Sequence, residues 1–511
     1  MRRSIVLCSV LVLALLMPTF AAQGDETVAP GGGTPGTWSN FELVGHEPLF
    51  NRGMNAAHAV HGDYVYVGNR TDGSMRCGIG DPRREEDGID TCEHPNPGIL
   101  VVDASDPTDP TVVNEIGPPL AGNPGETTRE MRAWTGKNLL IVESFGCSTV
   151  IHSCNGAPTT PAFRFYDISD PAEPEFVSEW TPRQANGAIR GPHEFHLWED
   201  PEDPDRGLLW ISTPTTSTNP NNANLLIADI SDVPTGGAPD LLAQGNWTQF
   251  FPTTSNVALH SMFPRPDGMT THLAYLSGFF LVLDTSDVAT DNLPTGEVLS
   301  LNDKLLTPVE NRPTWDNPNP GHSAVPFPGR NHSLVTDEVY GTFTAPDFGC
   351  PWGWARSVRI ERPDRPRVVG EYRIEENSCP PPTQEDQERT SYAAHNPTLT
   401  HNLAFVTWHS GGLQAINIRD PKIMTQAGWY SPVPLTEVAN EDPALSMGTN
   451  KVVMWSFPVI KDGLIYVIDL RNGLYILRYT GERAAEVADI SFLEGNSNLG
   501  DAVRLETPTR D

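Results

Sequence analysis

The sequence is poor in basic side chains and, beyond its first residues, in long apolar runs. Lys and Arg total 34 against 65 Asp and Glu, which gives a formal net charge of −31 at pH 7. Such a surface repels phosphate backbones and anionic lipid, so we expect no nucleic-acid partner. After residue 22 no stretch approaches the ~18 apolar residues of a spanning helix, so we expect no membrane span in the mature chain.

Several motifs of known chemistry are also absent. The sequence contains no G-x-S-x-G, no P-loop and no G-x-G-x-x-G, which are patterns of nucleophilic and nucleotide-binding sites. It has no C-x-x-C either, which argues against a thiolate metal site. Any catalytic or metal-binding site must therefore use other residues.

The amino terminus has the three parts of a secretory signal. Arg2 and Arg3 form a positive start, residues 5–20 form an apolar run, and Ala21 and Ala22 form a small-residue end. We therefore predict a signal peptide over residues 1–22 and a mature protein that is secreted, either extracellular or periplasmic.

Six cysteines remain after this cleavage, and they fall into three sequential pairs. In an exported protein such local pairs are expected to form disulfides. The predicted bonds join Cys77 to Cys92, Cys147 to Cys154, and Cys350 to Cys379.

One phrase recurs along the chain. It reads LVVDASDPTDPTVVNEIG from Leu100, FRFYDISDPAEPEFVSEW from Phe163 and LLIADISDVPTGG from Leu225, with further and weaker copies later. Asp and Ser side chains bond nearby backbone and Pro restricts φ, so each copy predicts two strands joined by a tight turn. A further apolar run precedes each copy, which makes a unit of about four strands.

The repeat length predicts the fold. Seven units of roughly 60 to 73 residues fill residues 38–482, which indicates an all-β, seven-bladed β-propeller followed by a C-terminal tail, residues 483–511. The last unit lacks one outer strand, and residues 38–50 resemble that missing strand. We predict that pairing of the N- and C-terminal segments closes the ring.

The D-[IAT]-S-D phrase resembles the LVIVD-repeat family of secreted β-propellers, and the resemblance covers nearly the whole mature chain. It implies the propeller fold more firmly than any activity. More distantly, the architecture resembles the selenium-binding protein/methanethiol oxidase propellers, which implies a histidine-bound metal on the axis.

A histidine recurs where the first strand of each unit begins. The first strands of a propeller line its central channel, so residues at one height on them converge on the axis. Imidazoles from three or four blades at about 2.1 Å would hold a transition metal such as Cu, Fe, Zn or Mn. Glu130 occupies the matching place in the second unit, where we predict a catalytic base. The predicted metal ligands are His58, His193, His260, His322 and His395.

Strand alternation around the third unit makes a finer prediction. If His193 faces the axis, Glu194 should point away from it, and His196 should be out of phase and packed. A structural role is expected for the histidines outside the column, including His409. The column of recurring histidines has an alternative interpretation, in which its imidazoles only donate hydrogen bonds to carbonyl groups of neighbouring blades.

These patterns favour a secreted propeller that binds a metal and acts as a metal-dependent oxidoreductase on a small molecule or extracellular ligand at the axis. Two alternatives stay open. One is a non-catalytic extracellular binding module, and the other is a metal-assisted polysaccharide lyase.

Overall fold

The computed structural model describes residues 25–74, 77, 92–119, 126–146, 159–252, 257–315, 321–338, 352–378, 390–442, 445–446 and 448–507. The predicted signal peptide and the cysteines at positions 147, 154, 350 and 379 lie outside these ranges. Cys77 and Cys92 form the predicted disulfide. None of the helices in these ranges has the length and apolarity needed to cross a membrane.

The chain is all-β, as predicted. Three strands begin it and are β1 (Asp25–Ala29), β2 (Thr37–Ser39) and β3 (Phe41–Glu47). Next come β4 (Asn55–His61), β5 (Tyr64–Asn69), β6 (Ile99–Asp103) and β7 (Thr111–Ile116). They are followed by β8 (Glu126–Trp134), β9 (Leu139–Gly146), β10 (Ala162–Asp167) and β11 (Glu175–Trp180). These two runs of four join into one sheet where β5 pairs with β8.

The middle of the chain continues the pattern of sequential antiparallel strands. One sheet holds β12 (Glu194–Glu199), β13 (Gly207–Ser212), β14 (Leu225–Asp229) and β15 (Asp240–Gly245). The next holds β16 (Ala258–Pro264), β17 (Thr270–Leu276) and β18 (Phe279–Asp284). The short helix α1 (Ser286–Ala289) and strand β19 (Leu299–Ser300) come after them.

Three further sets of strands complete the chain. They are β20 (Ser323–Pro326), β21 (His332–Thr336), β22 (Ala355–Arg359) and β23 (Arg367–Ile374); β24 (Pro397–Leu399), β25 (Leu403–Thr407), β26 (Leu413–Asn417) and β27 (Thr425–Ser431); and β28 (Val459–Lys461), β29 (Leu464–Asp469) and β30 (Gly473–Tyr479). The last elements are α2 (Ala484–Ala488), β31 (Phe492–Glu494) and α3 (Ala502–Leu505).

Single 3-10 turns lie between these elements. They are Leu49–Asn51, Thr135–Lys137, Val233–Thr235, Thr248–Phe250, Val309–Asn311 and Glu375–Ser378.

The three amino-terminal strands each pair with a strand encoded late in the chain. β1 lies parallel to β23, whereas β2 and β3 lie antiparallel to β27 and β30. The segment predicted to complete the last unit is therefore divided, because its first residues join β27 and the remainder joins β30. Each pairing covers the outer edge of a sheet, which removes an exposed edge.

The repeated phrase forms the same turn at each clear copy. The backbone N–H of Ser105 donates to Asp103 Oδ1 at 2.9 Å, and that of Ser169 donates to Asp167 Oδ1 at 2.7 Å. Ser231 and Ser286 repeat the bond to the aspartate two residues earlier at 2.8 and 3.0 Å. This side-chain bond replaces a backbone partner and turns the chain, as predicted.

One copy departs from the predicted pattern after its turn. Helix α1 follows β18, and β19 then pairs in parallel with β15 of the preceding sheet instead of with β18. Only an isolated bridge, Leu283 to Leu305, continues the expected pairing. The helix carries the chain across to the neighbouring edge before an outer strand can form.

The first strands of consecutive sets lie side by side. Contacts join β4 to β8, β8 to β12, β12 to β16, β16 to β20, β20 to β24 and β28 to β4. Apolar side chains fill the space between adjacent sheets, so the core is distributed around these inner strands. Residues at the starts of the inner strands consequently meet at one end of the molecule.

The C-terminal residues, predicted as a tail, pack across the opposite end. β31 pairs with β28, and Ser497 forms a bridge with Leu197. The side-chain amide of Asn498 donates to the carbonyl of Glu199, at the end of β12, and to that of Pro266, after β16. This segment ties together the far ends of several inner strands.

Candidate metal centre

Four of the five predicted histidines come together at one end of the inner strands. The ring centroids of His193 and His260 are 4.4 Å apart, those of His260 and His322 are 4.0 Å apart, and those of His322 and His395 are 4.2 Å apart. His260, His322 and His395 are buried, and His193 is half-buried. The rings of His193, His260, His322 and His395 thus form one curved row, which we call the arc, although the first and last are more than 200 positions apart.

The start of the inner strands positions these rings. His193 and His322 directly precede β12 and β20, His395 lies two residues before β24, and His260 lies within β16. Because neighbouring inner strands run side by side, equivalent positions lie at the same height. This is the geometric reason that the repeat spacing brings the rings together.

Two further ligand-type residues complete the arc, and the sequence analysis did not select them for the site. Glu338 Oε1 lies 3.1 Å from His395 Nε2 and 3.2 Å from His409 Nε2, and Glu338 Oε2 lies 3.4 Å from His322 Nε2. Glu338 and His409 each follow the second strand of their set by two residues, β21 and β25 respectively. An alignment of the second strands, in addition to the first, would have paired these positions.

Glu194 also belongs to the centre, so its predicted outward orientation was wrong. Glu194 Oε1 lies 3.8 Å from His260 Nδ1 and 3.7 Å from His322 Nε2. Strand alternation counted from His193 failed because β12 begins only at Glu194, and His193 lies in the preceding loop. His196 is packed as predicted, with its ring against Phe263.

The structure does not bring His58 into the arc. Its Nδ1 lies 3.0 Å from Ser456 Oγ, and its Nε2 lies 3.2 Å from the carbonyl oxygen of Tyr466. Both ring nitrogens therefore have protein partners in a neighbouring set, since Ser456 precedes β28 and Tyr466 lies in β29. This arrangement is the carbonyl-holding role that the sequence left open for the column.

Glu130, the predicted base, is buried beside the centre instead of within the arc. Its Oε2 accepts a hydrogen bond from Arg132 Nη2 at 3.1 Å. Its charge contributes to raising the pKa of Glu194 and of the buried Glu143. Glu130, Glu143 and Glu194 thus form an acidic group on one side of the histidines.

Hydrogen bonds through Nδ1 orient several of the rings. His395 Nδ1 lies 2.6 Å from the carbonyl oxygen of Trp455, and since a carbonyl only accepts, this nitrogen carries the proton. Its Nε2 is directed at Glu338 Oε1, 3.1 Å away. His322 Nδ1 and His409 Nδ1 lie 2.9 Å from the hydroxyls of Ser323 and Ser391. Such outer partners commonly hold metal-binding imidazoles in place.

Burial keeps the imidazoles neutral. It lowers the pKa of His260 to about 3 and that of His409 to about 4, although the hydrogen bond and charge of Glu338 oppose the shift at His409. Burial also lowers the pKa of His193 and His322 well below the ordinary value. Neutral imidazole is the form that binds metals, so these rings can act as ligands at neutral pH.

The two carboxyl groups differ in their electrostatics. Burial acts to raise the pKa of Glu338, but the neighbouring His395 and His322 lower it well below the usual value. Burial and then the charge of Glu130 raise the pKa of Glu194. Glu338 is therefore an anion at neutral pH, whereas Glu194 retains a proton that a bound cation would displace.

The donor set fits a metal ion. His395 Nε2 and Glu338 Oε1 face each other at 3.1 Å, a separation that a cation held by both atoms would also give. Glu194 Oε1 is buried and accepts no hydrogen bond from the described residues. Two groups of three ligand atoms have metal-binding spacing, namely Glu194, His260 and His322, and His322, Glu338 and His395.

Cationic and aromatic side chains border the centre. The guanidinium groups of Arg70 and Arg129 lie 5.0 and 5.2 Å from the ring centroid of Trp455. The Trp455 ring in turn lies 5.0 Å from His395, and the charge of Arg129 contributes to lowering the pKa of His193. These guanidinium groups lie close to carboxylates as well, since Arg70 Nη2 is 4.0 Å from Asp442 Oδ2 and the charge of Arg129 acts on Glu143 and Glu194.

No protein-family model matches this chain, and no curated protein matches it in sequence. Among solved structures, the chain is similar to Sqt1 from Chaetomium thermophilum. In the crystal structure of Sqt1 bound to the N-terminus of the ribosomal protein L10, the Sqt1 chain has 12% sequence identity to this chain and a TM-score of 0.41. The match covers 85% of this chain and 89% of the Sqt1 chain. Sqt1 alone gives 12% identity and a TM-score of 0.41 over 85% and 86% of the two chains.

Proposed function

We propose that the sheets form a seven-bladed β-propeller of the LVIVD-repeat type, exported from the cytoplasm. Seven inner strands each begin a sequential set, and contacts link β28 to β4 and the consecutive inner strands from β4 to β24. These inner strands are β4, β8, β12, β16, β20, β24 and β28. The pairing of β3 with β30 supports ring closure, and the Cys77–Cys92 disulfide supports an oxidising compartment. In this fold the imidazole arc lies at one mouth of the channel.

The protein's proposed function is that of a metal-dependent oxidoreductase with its centre in this arc. The observation that carries the proposal is the cluster of five imidazoles and two carboxyl groups, which are buried except for the half-buried His193 and Glu338. Glu338 faces three of the rings. A mixed imidazole and carboxylate set suits iron, copper, manganese or zinc, and the first three supply redox chemistry when bound.

The surrounding residues define what the chain itself contributes. Arg129 and Arg70 favour an anionic substrate group beside Trp455, since opposite charges attract most strongly where water is excluded. A buried acidic group can hold a proton beside a substrate bound at the arc. It consists of Glu130, Glu143 and Glu194. We therefore propose a small molecule with an anionic group as the ligand of the axis.

The decisive experiment is elemental analysis of protein purified without a histidine tag, followed by electron paramagnetic resonance before and after dithionite. We expect bound iron, copper or manganese with a signal that changes on reduction. His395→Ala should lose the metal, whereas His401→Asn should keep it, since His401 lies outside the arc with its Nε2 3.1 Å from the carbonyl oxygen of Thr507. Protein that contains no metal and takes none up would overturn the proposal, and zinc alone would overturn the redox assignment.

A further inference from the structure

The number of donors in the arc exceeds what one ion can use. Seven side chains offer ligand atoms, namely His193, His260, His322, His395, His409, Glu194 and Glu338. A transition-metal ion in a protein takes about four to six ligands, and some positions are left to water or substrate. The excess raises the question of how these donors divide.

They divide into two sets of two imidazoles and one carboxylate. In the first set, Glu338 Oε1 lies 3.1 and 3.2 Å from His395 Nε2 and His409 Nε2. Each of these two oxygen-to-nitrogen distances is what an ion with bonds of about 2.1 Å would produce at angles near 90°. Among the described residues, this trio is not one of the groups whose ligand atoms all lie within 4.8 Å of one another, so binding of one ion requires the two rings to move closer together. The Nδ1 atoms of both rings are held by other groups, so both Nε2 atoms are directed to this position.

The second set consists of Glu194, His260 and His322. Glu194 Oε1 lies 3.8 Å from His260 Nδ1 and 3.7 Å from His322 Nε2. His260 Nδ1 also lies 2.8 Å from Ser261 Oγ, which donates to Glu194 Oε2 at 2.6 Å, so an ion bound by all three ligands would replace the contact between His260 and Ser261. His193 remains as an orienting group, since its Nε2 lies 2.8 Å from His260 Nε2. If His260 binds through Nδ1, its Nε2–H donates to His193.

The carboxylate of Glu338 connects the two sets. Its Oε1 faces the first set, and its Oε2 lies 3.4 Å from His322 Nε2 of the second. A carboxylate with its two oxygens directed at two ligand groups can bridge ions about 3.5–4 Å apart, the spacing of two-metal sites.

We propose that the centre holds two metal ions, one at Glu338, His395 and His409 and one at Glu194, His260 and His322, bridged by the Glu338 carboxylate. This inference rests on the proposed function for the presence of metal, and it adds the number of ions and the division of ligands. Two adjacent ions would fit a substrate whose oxygen atoms bind both.

The test titrates the chelator-treated, untagged full-length protein with Co²⁺ alone and follows visible absorption and bound cobalt. We expect saturation at two equivalents per chain in wild type and in the control His401→Asn. Glu194→Gln and His409→Asn should each bind one equivalent, and Glu338→Gln should weaken both sites at least tenfold. Thermal unfolding of each variant checks that it is folded, and His260→Asn replaces Glu194→Gln if that variant is not.

The outcomes separate the two proposals. No bound cobalt in wild type would overturn the metal centre itself. Saturation at one equivalent would overturn only the two-ion inference. Two equivalents that persist in both Glu194→Gln and His409→Asn would overturn the ligand assignment made here.

Discussion

Single imidazoles in this protein have different roles according to what their nitrogens face. His395 has one nitrogen fixed by the Trp455 carbonyl and the other directed at a carboxylate, whereas His58 has both nitrogens directed at Ser456 and Tyr466. The two residues occupy equivalent repeat positions, so the difference arises from the neighbouring strands. Neither nitrogen of His58 is directed at a carboxylate or at another imidazole, so in this orientation the ring contributes to stability and does not join the arc.

This contrast gives a prediction for His58→Asn. The variant should retain the metal content of wild type, because His58 is not a ligand in the structure. It should lower the free energy of unfolding by about 1–3 kcal/mol, since buried hydrogen-bond partners lose their imidazole. Urea denaturation and elemental analysis measure the two effects, and loss of metal in folded His58→Asn would place this ring in the centre.

Acid should destabilise the metal-free protein through buried histidines away from the centre. Burial lowers the pKa of His272 to about 3, with a contribution from the charge of Arg265, and burial lowers that of His58 to about 3 as well. The unfolded chain, with histidine pKa near 6.5, binds protons that these folded rings do not, so stability falls as pH drops from about 6.5 toward 3. Each ring contributes roughly 1.4 kcal/mol per pH unit within that window.

The comparison of wild type with His272→Asn isolates this effect. The variant should show a shallower loss of unfolding free energy between pH 6.5 and pH 5 in urea denaturation of metal-free protein. Parallel curves for the two proteins would show that His272 does not resist protonation in the folded state.

At the residue scale, the sequence predicted the members of the arc that recur and missed those that do not. His193, His260, His322 and His395 share one place in the repeat, and this made them visible as a column. Glu338 and His409 occupy a matching place after the second strand but differ in residue type, so no column marked them. Glu194 was misassigned because the start of β12 depends on tertiary pairing that periodicity cannot locate to one residue.

At the scale of elements, β3 lies near the start of the chain and pairs with β30, which lies near its end. Phe41 is buried at one end of β3 and packs its ring 5.4 Å from Tyr479 and 6.3 Å from Phe405. Leu43 lies on the same strand but is 48% exposed. The two positions therefore allow the contribution of packing to be separated from that of strand pairing.

Phe41→Ala should lower the free energy of unfolding by about 3–5 kcal/mol, because it leaves a cavity among aromatic rings. Leu43→Ala on the same strand should change it by less than about 1 kcal/mol. Chemical denaturation checks both, and equal effects would argue against the β3–β30 interface as a source of stability.

The elements predicted best are those with local causes. The Asp-x-Ser turns form as expected because the aspartate bonds a backbone N–H only two residues away. The outer strand expected after β18 does not pair there, because α1 and the loop after it carry β19 to a different sheet. Local side-chain hydrogen bonds can be inferred from the sequence. The sheet edge that a strand joins depends instead on packing against residues distant in the sequence.

At the scale of the whole molecule, the charge of −31 creates self-repulsion that the fold must overcome. Salt screens repulsion between exposed charges, since the Debye length falls from about 30 Å at 0.01 M to about 3 Å at 1 M. We expect the thermal unfolding midpoint to rise by several degrees between 0.01 M and 0.5 M NaCl. An unchanged or lower midpoint in scanning calorimetry would contradict this expectation.

The pairing of β1, β2 and β3 with β23, β27 and β30 also governs the order of assembly during synthesis. Strands made first find their native neighbours only after some 340 or more intervening residues have been translated, as the pairing of Asp25 with Gly370 illustrates. At about 5–20 residues per second, the ribosome needs at least many seconds to produce those partners. The amino-terminal strands must therefore wait unpaired while the middle of the chain is made, so the native molecule can be completed only when translation is nearly over.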